Sequence, residues 1–189
     1  MSLLSDLRAD LLAKRALYSQ YGVPHSLLRV ALSDGTLANA LYRLQAALAR
    51  WHLGPFALLP HWLNKWINGC VIGVRAQFGP GLVLVHPIGV VINSAVRGGC
   101  NICIESSVVI GDNRGLVPVL GDDLFIGSGA KIIGGVTLGS GARVGANAVV
   151  VHDVPPGVTV VGIPARPVGR TSTDCFGRVM PAAVASRHA

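Results

Sequence analysis

Ile126-Gly127-Ser128-Gly129-Ala130-Lys131-Ile132-Ile133-Gly134-Gly135-Val136-Thr137-Leu138-Gly139-Ser140-Gly141-Ala142-Arg143-Val144-Gly145-Ala146-Asn147-Ala148-Val149-Val150 places an aliphatic residue at every sixth position. Followed backwards, the same frame meets Leu120, Arg114, Val108, Ile102, Val96, Val90, Leu84, Phe78 and Ile72, so thirteen of its fourteen positions are apolar. A helix, with about 3.6 residues per turn, cannot hold this frame, and a simple strand alternates by two. Glycine often follows the frame residue (Gly73, Gly79, Gly115, Gly121, Gly127, Gly139, Gly145), and a small residue often lies four after it (Ala76, Ser94, Cys100, Ser106, Ala130, Ala142, Ala148). One inward aliphatic, one glycine and one small residue describe a short strand plus a tight corner. Three hexads, about 18 residues, close a triangle, and stacked triangles pair their strands in parallel around a buried aliphatic column.

The single break falls at Arg114. Gly111-Asp112-Asn113-Arg114-Gly115 has turn chemistry and Pro118 follows, so roughly 111–119 is read as a loop leaving the prism wall, as functional loops do. Upstream the period changes. Leu37, Leu41, Leu44 and Leu48 fall at helical spacing, as do Leu4, Leu7, Leu11 and Leu12. Pro24 and Gly35 punctuate, and Ser33 or Asp34 is the candidate cap of a helix. The expectation is a mainly β chain: an N-terminal helical region over 1–68, a parallel β-helix over 69–169 and a tail over 170–189 that includes Thr171, Ser172, Thr173, Arg178 and Arg187.

The 189 residues are about 51% hydrophobic, 5% aromatic and 13% charged, with 24 glycines. That balance excludes disorder, a disulfide scaffold and a long coiled coil. The net charge of +7 comes from scattered arginines with no run and no aromatic interleaving, which argues against nucleic acid and leaves phosphates of a small substrate or a membrane surface. The first residues carry charges where a signal peptide would be apolar, and residues 76–96 hold glycines and prolines that break any spanning helix. The expected location is the cytoplasm, with the inner face of the membrane as a variant. All three tryptophans lie in 51–66, which reads as a core, a subunit interface or a peripheral membrane contact. Cys100-Asn101-Ile102-Cys103 lacks a second pair, so zinc is not expected, and Cys100 sits in a small-residue slot as packing.

Three strings carry a resemblance: Leu84-Val85-His86-Pro87-Ile88-Gly89-Val90-Val91-Ile92-Asn93, the segment Ile126 to Gly134, and Val154-Pro155-Pro156-Gly157 followed by Val161-Gly162-Ile163-Pro164-Ala165-Arg166. Over about 35–170 the chain resembles the left-handed parallel β-helix (hexapeptide-repeat) acetyltransferases of the serine acetyltransferase superfamily. It looks especially like its short relatives of the colanic-acid type, which acetylate exopolysaccharide sugars. The resemblance implies a homotrimer with active sites between subunits, acetyl-CoA as co-substrate and no metal. Pairing of trimers through the helical region, as in longer relatives, stays open. It maps the catalytic histidine onto His86. An imidazole ionises near neutrality, so it can take the acceptor hydroxyl's proton and return it to the CoA sulfur without a covalent intermediate, while backbone N–H groups hold the oxyanion.

By the same resemblance Gly111, Asp112, Ser128, Lys131, Arg143, Ala146 and Arg166 are candidates for holding acetyl-CoA. The chain also departs from the pattern. The aspartate fifteen residues before the histidine is Val71, the acidic residue just before it is Val85, and the Arg-His pair of the loop aligns with Leu116-Val117. Glu105, or Asn68 or Asn93, is the candidate to orient His86, with Asn68 and Asn93 also set beside the acceptor. A zwitterion finds no partner at the apolar positions, and unpaired charge in a closed site is costly. The expected acceptor is therefore a neutral hydroxyl, of a sugar or exopolysaccharide precursor. Serine, and a non-catalytic prism used for binding or assembly, are the alternatives. His152 is expected at an exposed corner, and His25, His52 and His61 are expected to be structural.

Overall fold

The computed structural model describes residues 2–20, 22 and 26–170. The tail beyond Arg170, with Cys175, and the punctuating Pro24 and His25 lie outside the described residues. Four helices come first: α1 (Leu3–Gln20), α2 (Leu27–Ala31), α3 (Thr36–Arg50) and α4 (Gly54–Asn68). Ser26 caps α2 by accepting from the Arg29 N–H at 3.3 Å. The N-cap of α3 is Gly35, with no side-chain cap, so neither Ser33 nor Asp34 has the capping role the sequence suggested.

Fifteen short strands follow, numbered in chain order, and the first fourteen wind a left-handed parallel β-helix with three faces. Face one holds β1 (Val71–Ile72), β4 (Val91–Ile92), β7 (Val109–Gly111), β10 (Lys131–Ile133) and β13 (Val149–Val150). Face two holds β2 (Gln77–Phe78), β5 (Arg97–Gly98), β8 (Val119–Leu120) and β11 (Thr137–Leu138). Face three holds β3 (Val83–Leu84), β6 (Cys103–Ile104), β9 (Phe125–Ile126), β12 (Arg143–Val144) and β14 (Val158–Val161). The last strand, β15 (Arg166–Arg170), folds back antiparallel on β14.

The register corrects the expectation of uniform 18-residue coils. Leu84 pairs with Ile104, Ile104 with Ile126 and Ile126 with Val144, so successive coils on face three run 20, 22 and 18 residues. The first excess is two residues at the corner holding His86. The second is four residues in the loop between Ile110 and Leu120, where Asn113 and Leu116 exchange backbone hydrogen bonds around Arg114 (φ 53°) and Gly115 (φ 84°). The two insertions together make one hexad, so the frame slips and then recovers. It stays apolar in between because each hexad has two inward columns. Val90, Val96, Ile102 and Val108 are 0% exposed in one column, and Ile92, Ile104 and Ile110 are at most 2% exposed in the other. Each such burial contributes roughly 1.5–3 kcal/mol, which makes this column the main stabilising term of the prism.

The helices invert the leucine-based reading. On α3 the residues turned inward are Ala38, Asn39, Tyr42, Arg43, Gln45 and Ala47, while Leu37 and Leu44 are exposed. On α1 they are Asp6, Asp10, Lys14 and Leu17, while Leu4 and Leu12 are exposed. The physical reason is the open end of the β-helix. Strands β1 to β3 have no coil beneath them, and their free backbone groups must find partners. Gln45 Nε2 donates to the carbonyls of Ile72 (3.0 Å) and Gly73 (3.2 Å). The Tyr42 hydroxyl donates to Ala76 O (3.3 Å) and accepts from Phe78 N (3.0 Å). Arg43 donates to Phe78 O (2.8 Å) and Gly79 O (2.7 Å), and Asn39 to Leu82 O. The Asp10 carboxylate accepts from the N–H groups of Gly81 and Leu82, both at 2.9 Å, and is paired with Arg43 at 2.7 and 2.8 Å. Burial pushes the Asp10 carboxyl up, and Arg43 and the two N–H groups oppose that shift. Leu17 closes the outer side of face three over Val83 and Cys103.

The tryptophan segment is not core: Trp51, Trp62 and Trp66 are exposed, with Lys65 Nζ 4.9 and 6.0 Å from the ring centres of Trp62 and Trp66. No described helix is long and apolar enough to cross a membrane.

Candidate active site

His86 lies where the chain turns from face three to face one. In the coils above, this corner is a turn at Ser106–Ser107, Ser128–Gly129 and Ala146–Asn147, each linked to the one below by a backbone hydrogen bond. In the first coil the equivalent turn is Ile88–Gly89, since Ser107 N donates to Ile88 O at 2.9 Å. His86 and Pro87 are therefore an excursion out of the stacked corner. The left-handed conformation of His86 (φ 48°) turns the chain outward at a cost of roughly 1–2 kcal/mol. Pro87 remains buried and the imidazole projects, 66% exposed.

The partner of that imidazole is Asp34. Its Oδ2 lies 3.0 Å from His86 Nδ1, across 52 residues of sequence. A carboxylate only accepts, so Nδ1 is the donor, and in the neutral ring this leaves the lone pair on Nε2, the tautomer a general base needs. Gly35 makes the approach possible: a Cβ there would overlap the Leu84 carbonyl and press on Pro87, and its φ of 81° suits glycine. Lys14 holds the Asp34 segment from behind. Its ammonium donates to Asp34 O and, at 2.9 Å, to Thr36 Oγ1. Tyr18, Ser26, Arg29, Ser33, Asp34 and His86, with Leu28 and Leu32, line an open recess of about 560 Å³. Arg29 forms no ion pair among the described residues.

Lys14 is 2% exposed, and burial brings its pKa from 10.5 down to about 8 against the opposing pull of Asp34. Between those two values the unfolded chain binds more protons than the folded one, so this group adds stability as pH rises from about 8 to 10.5. Urea titrations across that range are expected to show wild-type stability climbing relative to Lys14→Met. Below pH 8 the difference should be flat, with Lys14 charged in both states.

The other residues singled out in the sequence sit as follows. Glu105 does not orient His86: its Oε2 accepts from Ser128 N (3.0 Å) and Ser128 Oγ (2.8 Å) in the next coil. Asn68 donates to Asn64 Oδ1 at 3.0 Å on α4, and Asn93 to Asp112 Oδ1 at 3.0 Å. Asn68 lies on a helix rather than in a coil below His86, and the coil from His86 to Glu105 runs 20 residues rather than 18. Ser128 and Ala146 stack on the edge that His86 occupies, and Lys131 closes it by donating to Ser107 O (2.8 Å) and Gly129 O (2.9 Å). Arg143 stacks on Phe125 of face three, 4.8 Å from the ring centre, and Arg166 is exposed on β15. Gly111 and Asp112 stand at the opposite edge of face one, at the base of the loop. Of the candidates for acetyl-CoA, Ser128, Lys131 and Ala146 thus share one edge and Gly111 and Asp112 the other, with Arg143 and Arg166 on neither. His152 is exposed and His52 is exposed at the end of α3, while His61 Nδ1 lies 3.1 Å from Ile72 O. Among the described residues Cys70, Cys100 and Cys103 form no disulfide, and burial pushes Cys70 up to about 12.

Asp34 and Arg29 as site residues escaped the sequence reading. The one available signal was Asp34-Gly35, which reads as turn or cap chemistry.

Residues 118–152 match the model of the bacterial transferase hexapeptide (six repeats) family. A serine acetyltransferase of Helicobacter pylori J99 is 35% identical over 141 residues, covering 72% of this chain and 82% of that relative. The solved structure of soybean serine acetyltransferase complexed with serine superimposes with a TM-score of 0.79 at 36% identity, covering 88% of this chain and 70% of that one. A serine acetyltransferase in complex with CoA gives 0.81 at 26% identity, covering 88% and 70%. These relatives overturn the expectation of a sugar acceptor and a place in polysaccharide synthesis. That expectation rested on apolar residues at Val71, Val85 and Leu116-Val117. The structure brings a carboxylate to His86 and a guanidinium into the same recess from the helical region instead. By sequence and by fold, the chain belongs to the serine acetyltransferase family of hexapeptide-repeat, acetyl-CoA-dependent acyltransferases.

Proposed function

We propose that the chain transfers the acetyl group of acetyl-CoA to the hydroxyl of L-serine. The observation that carries this reading is the Asp34–His86 pair in a recess shared with Arg29. His86 Nε2 takes the hydroxyl proton as the oxygen attacks the thioester carbonyl. The tetrahedral intermediate collapses by breaking the C–S bond, and the imidazolium returns the proton to the leaving sulfur. Asp34 fixes the ring and balances its transient charge. Arg29 takes the acceptor's carboxylate. The reading includes a homotrimer, because Ser128 and Lys131 lie on the His86 edge and Gly111 and Asp112 on the other. A neighbouring subunit brings two such edges together.

Thiol release from acetyl-CoA tests this directly. Wild type is expected to respond to L-serine far more strongly than to L-serinamide, which lacks the carboxylate. Arg29→Ala is expected to raise the KM for serine about 10- to 100-fold with kcat little changed, the effect of one lost charged hydrogen bond. Release with neutral alcohols but not with serine would overturn the reading.

A further inference from the structure

On the far side of the helical region a second recess opens between α3 and the first two coils of face two. It has a volume of about 530 Å³, and its charged lining is Asp6, Arg43, Arg50, Arg75 and Arg97, with Tyr42 and Gln77 beside them, over an apolar floor that includes Ala46 and Phe78. His86 and Asp34 do not line it. Arg43 is neutralised by Asp10. That leaves the guanidiniums of Arg50, Arg75 and Arg97 against the single carboxylate of Asp6, a surplus of two positive charges. Arg75 and Arg97 form no ion pair among the described residues. Arg97 is planted at the rim, its Nη1 donating to the carbonyls of Arg75 (3.0 Å), Ala95 (3.1 Å) and Val96 (3.1 Å).

Asp6 is the second observation. It is 3% exposed, yet its Oδ1 has no hydrogen-bond partner among the described residues. Its Oδ2 lies 3.7 Å from Arg50 Nη2, beyond hydrogen-bond reach. A buried carboxylate oxygen without a donor is costly, and because Asp6 lines the recess, a ligand N–H group that reaches its carboxylate would offset that cost. The surplus of positive charge matches a phosphate monoester, which carries nearly two negative charges at neutral pH. Guanidinium forks suit its oxygens.

We propose that this groove binds a small phosphate monoester that also carries an amino group, the phosphate lying among Arg50, Arg75 and Arg97 and the amino group against Asp6. The site is separate from the one that holds His86, and occupancy would fasten α1 and α3 to the first coils.

Calorimetry on the full chain, with CoA at saturation to occupy any CoA-binding surface, tests it with O-phosphoethanolamine, inorganic phosphate and ethanolamine. Phosphoethanolamine is expected to bind, ethanolamine not, and binding should weaken with added salt. The double variant Arg75→Gln/Arg97→Gln should weaken phosphoethanolamine at least tenfold while its unliganded melting stays that of wild type. Asp6→Asn should weaken phosphoethanolamine and leave inorganic phosphate as tight or tighter. No binding of phosphoethanolamine at millimolar concentration, or equal affinity in the natively folded double variant, overturns the site. Unchanged phosphoethanolamine affinity in Asp6→Asn overturns the amino-group assignment.

Discussion

His86→Ala is expected to lower kcat about a thousandfold and Asp34→Asn about a hundredfold, with the double variant no slower than His86→Ala alone. General base catalysis contributes about 10²- to 10⁴-fold, and the oxyanion donors and binding groups are untouched by either change. Non-additivity is the informative part. Asp34 meets the reaction through the ring at 3.0 Å, so once the ring is gone its removal has nothing further to undo. Both side chains are mainly exposed, at 66% and 75%, so melting should barely move and a rate loss cannot be charged to unfolding. Activity of His86→Ala within tenfold of wild type would end its role as base. Effects that multiply would show Asp34 acting on the acceptor rather than through the ring.

Arg43→Met is expected to destabilise the chain by about 3–5 kcal/mol, lowering Tm by about 10 °C. Arg43 and Asp10 are both 3% exposed, and the substitution strands the Asp10 carboxylate in that setting. A buried ion pair can often be exchanged for an apolar pair without loss. Here Arg43→Met/Asp10→Leu should recover little, because the pair also caps Phe78 O, Gly79 O, Gly81 N and Leu82 N at the open end of the β-helix. Thermal melts of the single and double variants separate these cases: full recovery would mean that the charges, not the capping, carry the cost.

The two helices show how far a periodic reading reaches. Leu37, Leu41, Leu44 and Leu48 correctly announce a helix, since spacing depends only on the local geometry of the chain. They do not announce which side faces the prism. That depends on what the prism presents, and an open coil presents carbonyl and N–H groups that call for Gln45, Tyr42, Arg43 and Asp10 rather than leucine. The same limit applied to Glu105. Its place relative to His86 was judged by an 18-residue coil, but that coil runs 20 residues, and the Glu105 carboxylate turns to Ser128 in the next coil.

From the sequence alone came the β-helix, one inward aliphatic column, the loop at Arg114 and, through the family resemblance, the prominence of His86. All of these follow from repeats or motifs that lie within a few residues of one another. The tertiary structure alone decided that Asp34 reaches His86 and that Arg29 shares its recess, across 52 and 57 residues of intervening numbering. Such a meeting depends on how α1 and α3 dock against the first coil, with Gly35 admitting the close approach and Lys14 pinning it. Docking is set by the summed pairing of buried polar groups across two distant parts of the chain, which no local window of residues contains.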